Sequence, residues 1–362
     1  MRVCAAGFPR RARAATACKP PARRYSIPMS EAVPISPRRV ACGDLVVTGP
    51  TASGKERLAL AVAMQIGGEI VSADSMKVYR EMDIGTAKPS PAARRAVPHH
   101  LLDVADPGET FSTARWLALA EAAIADVHAR GRAAILSGGT PLYLKALLEG
   151  LFKGPAADAA IRERLKAEAD ARGTAALHAR LAEVDPEAAA RIHPNDLRRI
   201  TRALEVWELT GRPISELQSQ WGRRRPSPGS EALDGRWRPL LVAIRRSRDD
   251  LTRRIEARVR RMIEAGLVEE VRRLAGRPGG LARGPRQALG YAEVLDHLDG
   301  RLAADELIPA IVAHTRQLAR RQMTWIARFE GVRWLDAAPD TPGDALAETV
   351  VTLWREHVAT QV

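Results

Sequence analysis

The chain has 362 residues, with 56 Lys or Arg against 43 Asp or Glu, giving a formal charge of +13. That length buries a full core in one large domain or two modest ones, and no apolar run reaches the ~18–20 residues that cross a bilayer. The three cysteines, Cys4, Cys18 and Cys42, form no C-x-x-C pair, which argues against a disulfide framework or cysteine zinc site and fits a reducing, cytoplasmic setting.

Residues 1–30 carry seven Lys or Arg and no acid. Residues 1–40 read as a disordered basic extension, either transit-like or the product of a misplaced start with Met29 as initiator. The second reading is favoured, because the sequence from Met29 runs directly into the first strand. The milder positive excess on the remainder hints at a polyanionic partner.

Asp44–Thr48 (DLVVT) reads as a buried strand, and GPTASGK (49–55) follows it. A helix over Arg57–Ile66 comes next, with Leu58, Ala61, Val62 and Ile66 on one side and Gly67 at its end. Strand, glycine loop and helix in this order surround a phosphate with backbone N–H groups and a helix N-terminus, and Lys55 is the counter-charge. At the next position, where a Ser or Thr hydroxyl ordinarily meets magnesium, stands Glu56.

Residues 69–75 (EIVSADS) predict a second strand with Ser72, Asp74 and Ser75 at its tip, and 99–104 (HHLLDV) a third. Asp74 reads equally as a general base facing the phosphate site or as the side chain of an Asx turn. Ser112 or Thr113 caps a helix running to Ala129. Residues 133–137 (AAILS) form another buried strand, leading into Gly138-Gly139-Thr140, with Thr140 as N-cap and Pro141 at the first helical position. This strand lacks the terminal Asp that a hydrolytic NTPase uses for magnesium and water. A protein that grips a di- or triphosphate without hydrolysing it fits better.

Residues 155–222 are rich in Ala, Glu and Arg, with helical spacing and no convincing strand. One helix is clear: Asp196 caps it, Leu197, Ile200, Leu204 and Trp207 form its stripe, and Gly211 ends it. Residues 223–236 read as a loop, 239–244 (PLLVAI) as a returning strand, and 249–275 and 303–329 as helices. The expected fold class is therefore α/β: a P-loop-type parallel sheet flanked by helices, with ligands at the strands' C-terminal ends. Its core spans 41–154 and returns over 223–335, an all-helical domain is inserted at 155–222, and 336–362 is a tail. Three arginine clusters (Arg254, Arg258 and Arg261; Arg198, Arg199 and Arg202; Arg316, Arg320 and Arg321) beside a phosphate loop raise the expectation of a nucleic-acid backbone partner. With only 4% aromatics, a generic stacking groove for single strands is disfavoured.

Together GPTASGK (49–55), SADSMKVYREMDIGTAKP (72–89), HHLLDVADP (99–107), GGTPLYLKALLEGL (138–151), RIHPNDLRRITRALEVWELTG (191–211) and HTRQLARRQMTW (314–325) resemble the tRNA dimethylallyltransferase, or tRNA isopentenyltransferase, family. The resemblance implies transfer of the dimethylallyl group from dimethylallyl diphosphate to N6 of adenosine 37 in tRNA, releasing pyrophosphate. It implies that Gly49, Pro50, Thr51, Ala52, Ser53, Gly54 and Lys55 cradle the diphosphate with Arg248 and Arg254. Asp74, the acceptor at N6, and Thr140 would be catalytic. The tRNA anticodon stem-loop would meet Asp74, Ser75, Met76, Lys77, Thr140, Arg162, Arg198, Arg199, Ile200, Thr201, Arg202, Arg286, Gln287, Gly290 and Tyr291. The implied cofactor is Mg²⁺, and a cytoplasmic monomer without membrane attachment fits.

Four positions depart from the family pattern. Glu56 replaces the Thr or Ser that binds Mg²⁺, Lys77 replaces a Gln, and Glu81 and Pro141 replace glycines. Glu56 either coordinates the metal itself, projects away, or repels the diphosphate, so weakened activity is expected. Two other readings stay open. One is a prenyltransferase acting on free adenine nucleotides, which the helical insertion and its arginines disfavour. The other is a non-catalytic tRNA-binding relative whose loop has decayed at Glu56.

Overall fold

Short apolar runs, each ended by a turn, form the strands of a single parallel sheet. The computed structural model describes residues 43–152, 154–218 and 239–360. The basic extension with Met29, the three cysteines and the loop 223–236 lie outside the described residues. The first half of the chain runs β1 (Leu45–Thr48), α1 (Lys55–Ile66), β2 (Glu69–Ser72), α2 (Pro91–Ala96), β3 (His99–His100), α3 (Thr113–Ala129), β4 (Ala134–Ser137) and α4 (Pro141–Glu149). Five helices follow: α5 (Ala159–Arg172), α6 (Thr174–Val184), α7 (Pro186–Arg191), α8 (Leu197–Thr210) and α9 (Ile214–Leu217). The chain then returns as β5 (Leu240–Arg245) and continues through α10 (Arg248–Glu264), α11 (Leu267–Ala275), α12 (Arg283–Arg286), α13 (Tyr291–Leu298) and α14 (Ala304–Ile326). It finishes with β6 (Arg333–Asp336) and α15 (Ala347–Ala359).

The strand order is β3-β2-β4-β1-β5-β6, and every pairing is parallel. All residues of β1, β2 and β4 are buried, because helices cover both faces; hence these strands are apolar at successive central positions rather than at alternate ones. Side chains alternate between the faces. Val46, Val71 and Leu136 join Trp116 and Tyr143 in one core with α10, α11, α13 and α14. Leu45, Val47, Ile70 and Ile135 join Leu58 and Val62 of α1 and Val350 of α15 in the other. Trp116 stacks on Tyr143 at 4.2 Å between ring centroids and donates its indole N–H to the Ser72 carbonyl at 3.1 Å, fixing the end of β2.

The helices α5–α9 lie in sequence between α4 and β5 and own a separate core of Leu165, Leu177, Leu181, Ile200 and Leu204. Asp196 caps α8 by accepting the Arg199 N–H at 3.1 Å, and Gly211 ends the helix at φ 67°, as its sequence predicts.

Three expectations change. The strand expected over 99–104 stops at His100, because Leu101 and Asp103 take left-handed backbone (φ 62° and 59°) that no strand accommodates. The helix expected over 249–275 breaks at Gly266, φ 95°, where only glycine turns without steric cost. The expected tail 336–362 instead contains α15, whose Val350 and Val351 are buried with Leu58 and Val62 of α1, and it follows β6, which pairs with β5.

Candidate active site

The tips of β1, β2 and β4 meet at one end of the sheet. Thr48 donates its hydroxyl to the Gly138 carbonyl at 2.9 Å, and a Cβ on Gly138 would lie 2.2 Å from the Ala73 carbonyl oxygen; only glycine lets these tips close up. Loop 49–54 leaves β1 and enters α1 through Gly54 at φ 96°, which provides no side-chain cap. The first amides of α1 therefore remain available to an anion, where the helix dipole favours negative charge. Lys55 is buried and donates to the Pro50 carbonyl at 3.3 Å.

Two residues not anticipated from sequence hold this loop. Gln322 of α14 accepts the Thr51 N–H at 2.8 Å and donates to the Gly139 carbonyl at 2.8 Å, tying the phosphate loop to the β4–α4 turn. Arg246, buried at the tip of β5, donates to the Ser53 carbonyl at 2.7 Å and to Asp250 at 2.8 Å. Burial pushes the Asp250 carboxyl up, but Arg246 and Arg254 together hold it below its ordinary range. Gln322 lies within a stretch that the sequence singles out for its arginines, and Arg246 lies two residues beyond a predicted strand; proximity to these stretches was the only available signal.

Asp74 is an Asx turn in geometry. Its Oδ1 accepts the Met76 N–H at 2.8 Å and the Lys77 N–H at 3.3 Å. Its Oδ2 makes no hydrogen bond among the described residues, so the turn fixes the carboxylate while leaving one oxygen for a donor. The Thr140 side chain makes no cap bond to α4. It accepts the Ser75 N–H at 3.0 Å and contacts the Ser75 hydroxyl at 3.3 Å, so the expected capping hydroxyl instead locks the Asp74 turn to β4.

Glu56 occupies the first turn of α1 and forms an ion pair with Lys77; the Lys77 side chain is 5% exposed and that of Glu56 40%. The two departures from the family pattern thus meet each other. Burial pushes the Glu56 carboxyl up, but Lys77, Lys55 and Arg258 more than offset this and hold it below its ordinary value. Burial lowers Lys55 to about 8, opposed by Glu56 and Asp74.

A cavity of about 340 Å³ opens on the loop, lined by Gly54, Lys55, Glu56, Arg254, Arg258 and Arg261. Arg254 is also held by Asp250 at 3.2 Å and the Thr341 carbonyl at 2.7 Å. Arg248, the other expected diphosphate arginine, lines a second cavity of about 410 Å³ between α10 and α14 with Arg246, Ile255, Arg316, Arg320 and Met323. Arg258 stands on the loop cavity without having been singled out for the diphosphate.

The expected tRNA residues divide by exposure. Arg198, Arg199, Arg286 and Gln287 are exposed, and Thr201 is half-buried. Arg162 and Arg202 converge on the buried Glu205, at 2.8 and 2.6 Å, and so brace α5 against α8. Ile200 is wholly buried in the helical core, and Gly290 and Tyr291 are buried too. The Tyr291 hydroxyl donates to Glu270 at 2.5 Å. Glu270 in turn accepts the N–H groups of Asp83, Ile84 and Gly85 at 2.9, 2.8 and 3.1 Å. Ile200 and Tyr291 therefore shape the surface from beneath.

Glu81, where the family pattern has glycine, takes φ 62°, a conformation glycine adopts without cost; its carboxylate pairs with Arg273 and Arg277.

A family model described as IPP transferase matches residues 77–329. A tRNA dimethylallyltransferase of Anaeromyxobacter sp. (strain Fw109-5) is 51% identical over 306 residues, 84% of this chain and 98% of that protein. One from Sorangium cellulosum is 51% identical over 78% of this chain and 87% of its own length. The crystal structure of a tRNA isopentenylpyrophosphate transferase from Bacillus halodurans matches with TM-score 0.63 and 37% identity, covering 88% of this chain and 98% of that one. A eukaryotic dimethylallyltransferase, caught crystallographically acting on tRNA, matches with TM-score 0.68 and 26% identity, covering 86% and 77%. The phosphate loop, the Asp74 turn and the helical insertion thus stand on the fold of known relatives: the chain belongs to the IPP transferase family of tRNA dimethylallyltransferases.

Proposed function

We propose that this protein transfers the dimethylallyl group of dimethylallyl diphosphate to N6 of adenosine 37 in the tRNA anticodon stem-loop. The observation that carries the reading is the meeting, at the tips of β1 and β2 on either side of β4, of a cationic loop and an aspartate with one oxygen free. The loop amides, Lys55 and Arg258 hold the donor's diphosphate, as charge-assisted hydrogen bonds do best. The N6–carbon bond forms as the carbon–oxygen bond to diphosphate breaks, pyrophosphate departs with the electron pair, and the N6 proton passes to Asp74 Oδ2. Thr140, through Ser75, keeps that carboxylate in place.

The sequence expectation of magnesium meets a difficulty at its expected ligand. The Glu56 carboxylate is engaged by Lys77, and Lys55 and Arg258 line the same cavity. Those residues do not fit a divalent cation at Glu56. The charge on the leaving pyrophosphate falls to Lys55, Arg258 and the loop amides.

The exposed Arg198 and Arg199 of the inserted helices favour a structured RNA over free adenine nucleotides. Incubation with dimethylallyl diphosphate and either an anticodon stem-loop or AMP, followed by mass analysis, tests this. The stem-loop gains one dimethylallyl group and AMP does not. Prenylated AMP, or an unmodified stem-loop bound without reaction, would contradict the reading.

A further inference from the structure

In phosphate loops of this type a hydroxyl after the lysine binds magnesium, and the metal neutralises the phosphates. Here Glu56 fills that position and its carboxylate is already neutralised by the ammonium of Lys77. Lys77 is almost completely buried, so it cannot swing into solvent to make room. The ion pair engages Oε1 of Glu56, so a dication would share that carboxylate with the Lys77 ammonium while facing Lys55 and Arg258 across the same cavity. Lys77 is buried while the Glu56 side chain is 40% exposed, so solvent screens part of this like-charge crowding and the remainder opposes a dication. Conversely, with Lys77 in place Glu56 presents no net charge to an incoming diphosphate. Lys55, Arg258 and Arg261 of the loop cavity then face it undiminished.

We infer that the Glu56–Lys77 ion pair replaces the hydroxyl–metal pair of the phosphate loop, so that this protein grips a diphosphate with little help from a divalent cation. The inference rests on the donor-diphosphate reading of the loop. Lys77 acts as a positioning residue. Through its backbone N–H it also belongs to the Asp74 turn, so the pair links the phosphate loop directly to the expected proton acceptor.

Isothermal titration of the full chain with pyrophosphate, in excess Mg²⁺ and in EDTA, tests the pairing. The wild type is expected to change affinity by less than about threefold between the two conditions, whereas Lys77→Gln, which leaves Glu56 facing the anion alone, weakens binding about tenfold or more in both. Lys77→Arg, which keeps the pair, restores binding. The double variant Glu56→Thr/Lys77→Gln is expected to bind well in Mg²⁺ and to lose about tenfold in EDTA, because it regains the metal-binding hydroxyl. Thermal melts of each variant identify any that fail to fold, and the wild-type comparison stands without them. A wild type that loses about tenfold or more in EDTA, or a folded Lys77→Gln indistinguishable from it, overturns the inference while leaving the donor reading intact. A wild type that binds no pyrophosphate in either condition overturns both.

Discussion

Lys55 is the residue on which the phosphate loop turns. Its folded-state pKa lies near 8 against an ordinary 10.5, mainly through burial. The unfolded chain therefore binds the extra proton between those values, and this group's cost to folding, complete below the lower value, disappears as pH rises through the window. Under the proposed function, donor affinity is expected to run the opposite way, because the anion needs the ammonium. Dimethylallyl diphosphate, whose last ionisation near pH ~6 lies well below this range, is expected to bind progressively more weakly above pH 8, approaching about tenfold per unit. Lys55→Arg, permanently charged, should give a flat profile, even with a poorer fit; titration calorimetry between pH 7 and 10 reads both, and a flat wild-type profile would contradict the assignment. At this scale sequence was a partial guide. It singled out Lys55, Asp74 and Thr140 as site residues, and it flagged Glu56 and Lys77 separately. It could not pair those two, because they lie 21 positions apart and meet only when β2 lies beside β4 and β4 beside β1.

At the scale of elements, two assemblies position the site from a distance. Glu270 of α11 holds the 83–85 turn through three backbone N–H groups and receives the Tyr291 hydroxyl. Glu270→Ala strands these donors in a buried place and should cost roughly 3 kcal/mol or more. Thermal or urea unfolding measures it, and a loss under about 1 kcal/mol would show that the turn holds itself. In the insertion, Ile200 is fully buried among Leu165, Leu181 and Leu204. Ile200→Ala should cost about 2–5 kcal/mol and weaken stem-loop binding while leaving pyrophosphate affinity unchanged; equal losses of both would mean the two regions are not independent. Helices with a cap and a clear stripe, α8 above all, were legible because those signals are local. The broken helix at Gly266 and the docking of α15 on α1 were not. The first depends on a single backbone torsion, and the second on a surface that only the finished sheet creates.

For the molecule as a whole, the order β3-β2-β4-β1-β5-β6 explains why the residues of the proposed site are scattered through the sequence yet gathered in space. Parallel strands send all their C-terminal tips to one edge, so each tip delivers one part: the loop from β1, Asp74 beyond β2, Thr140 beyond β4 and Arg246 at β5. Alternating strands and helices made this architecture readable from sequence, and the apolar runs of β1 and β4 marked those strands as buried. What sequence could not supply was which arginines share a cavity. Arg254 and Arg258 lie on the loop's side of α10, and Arg248 lines the cavity facing α14, a difference set by helix rotation against its neighbours. Under the proposed function, donor and acceptor meet at these tips. Single-turnover transfer from dimethylallyl diphosphate to an anticodon stem-loop, comparing wild type with Asp74→Asn and reading the RNA by mass, tests this. The wild type should add one dimethylallyl group at adenosine 37, and Asp74→Asn should be slower by about 10²–10⁴-fold at unchanged pyrophosphate affinity. Transfer by Asp74→Asn at the wild-type rate, or no transfer by the wild type, would contradict it.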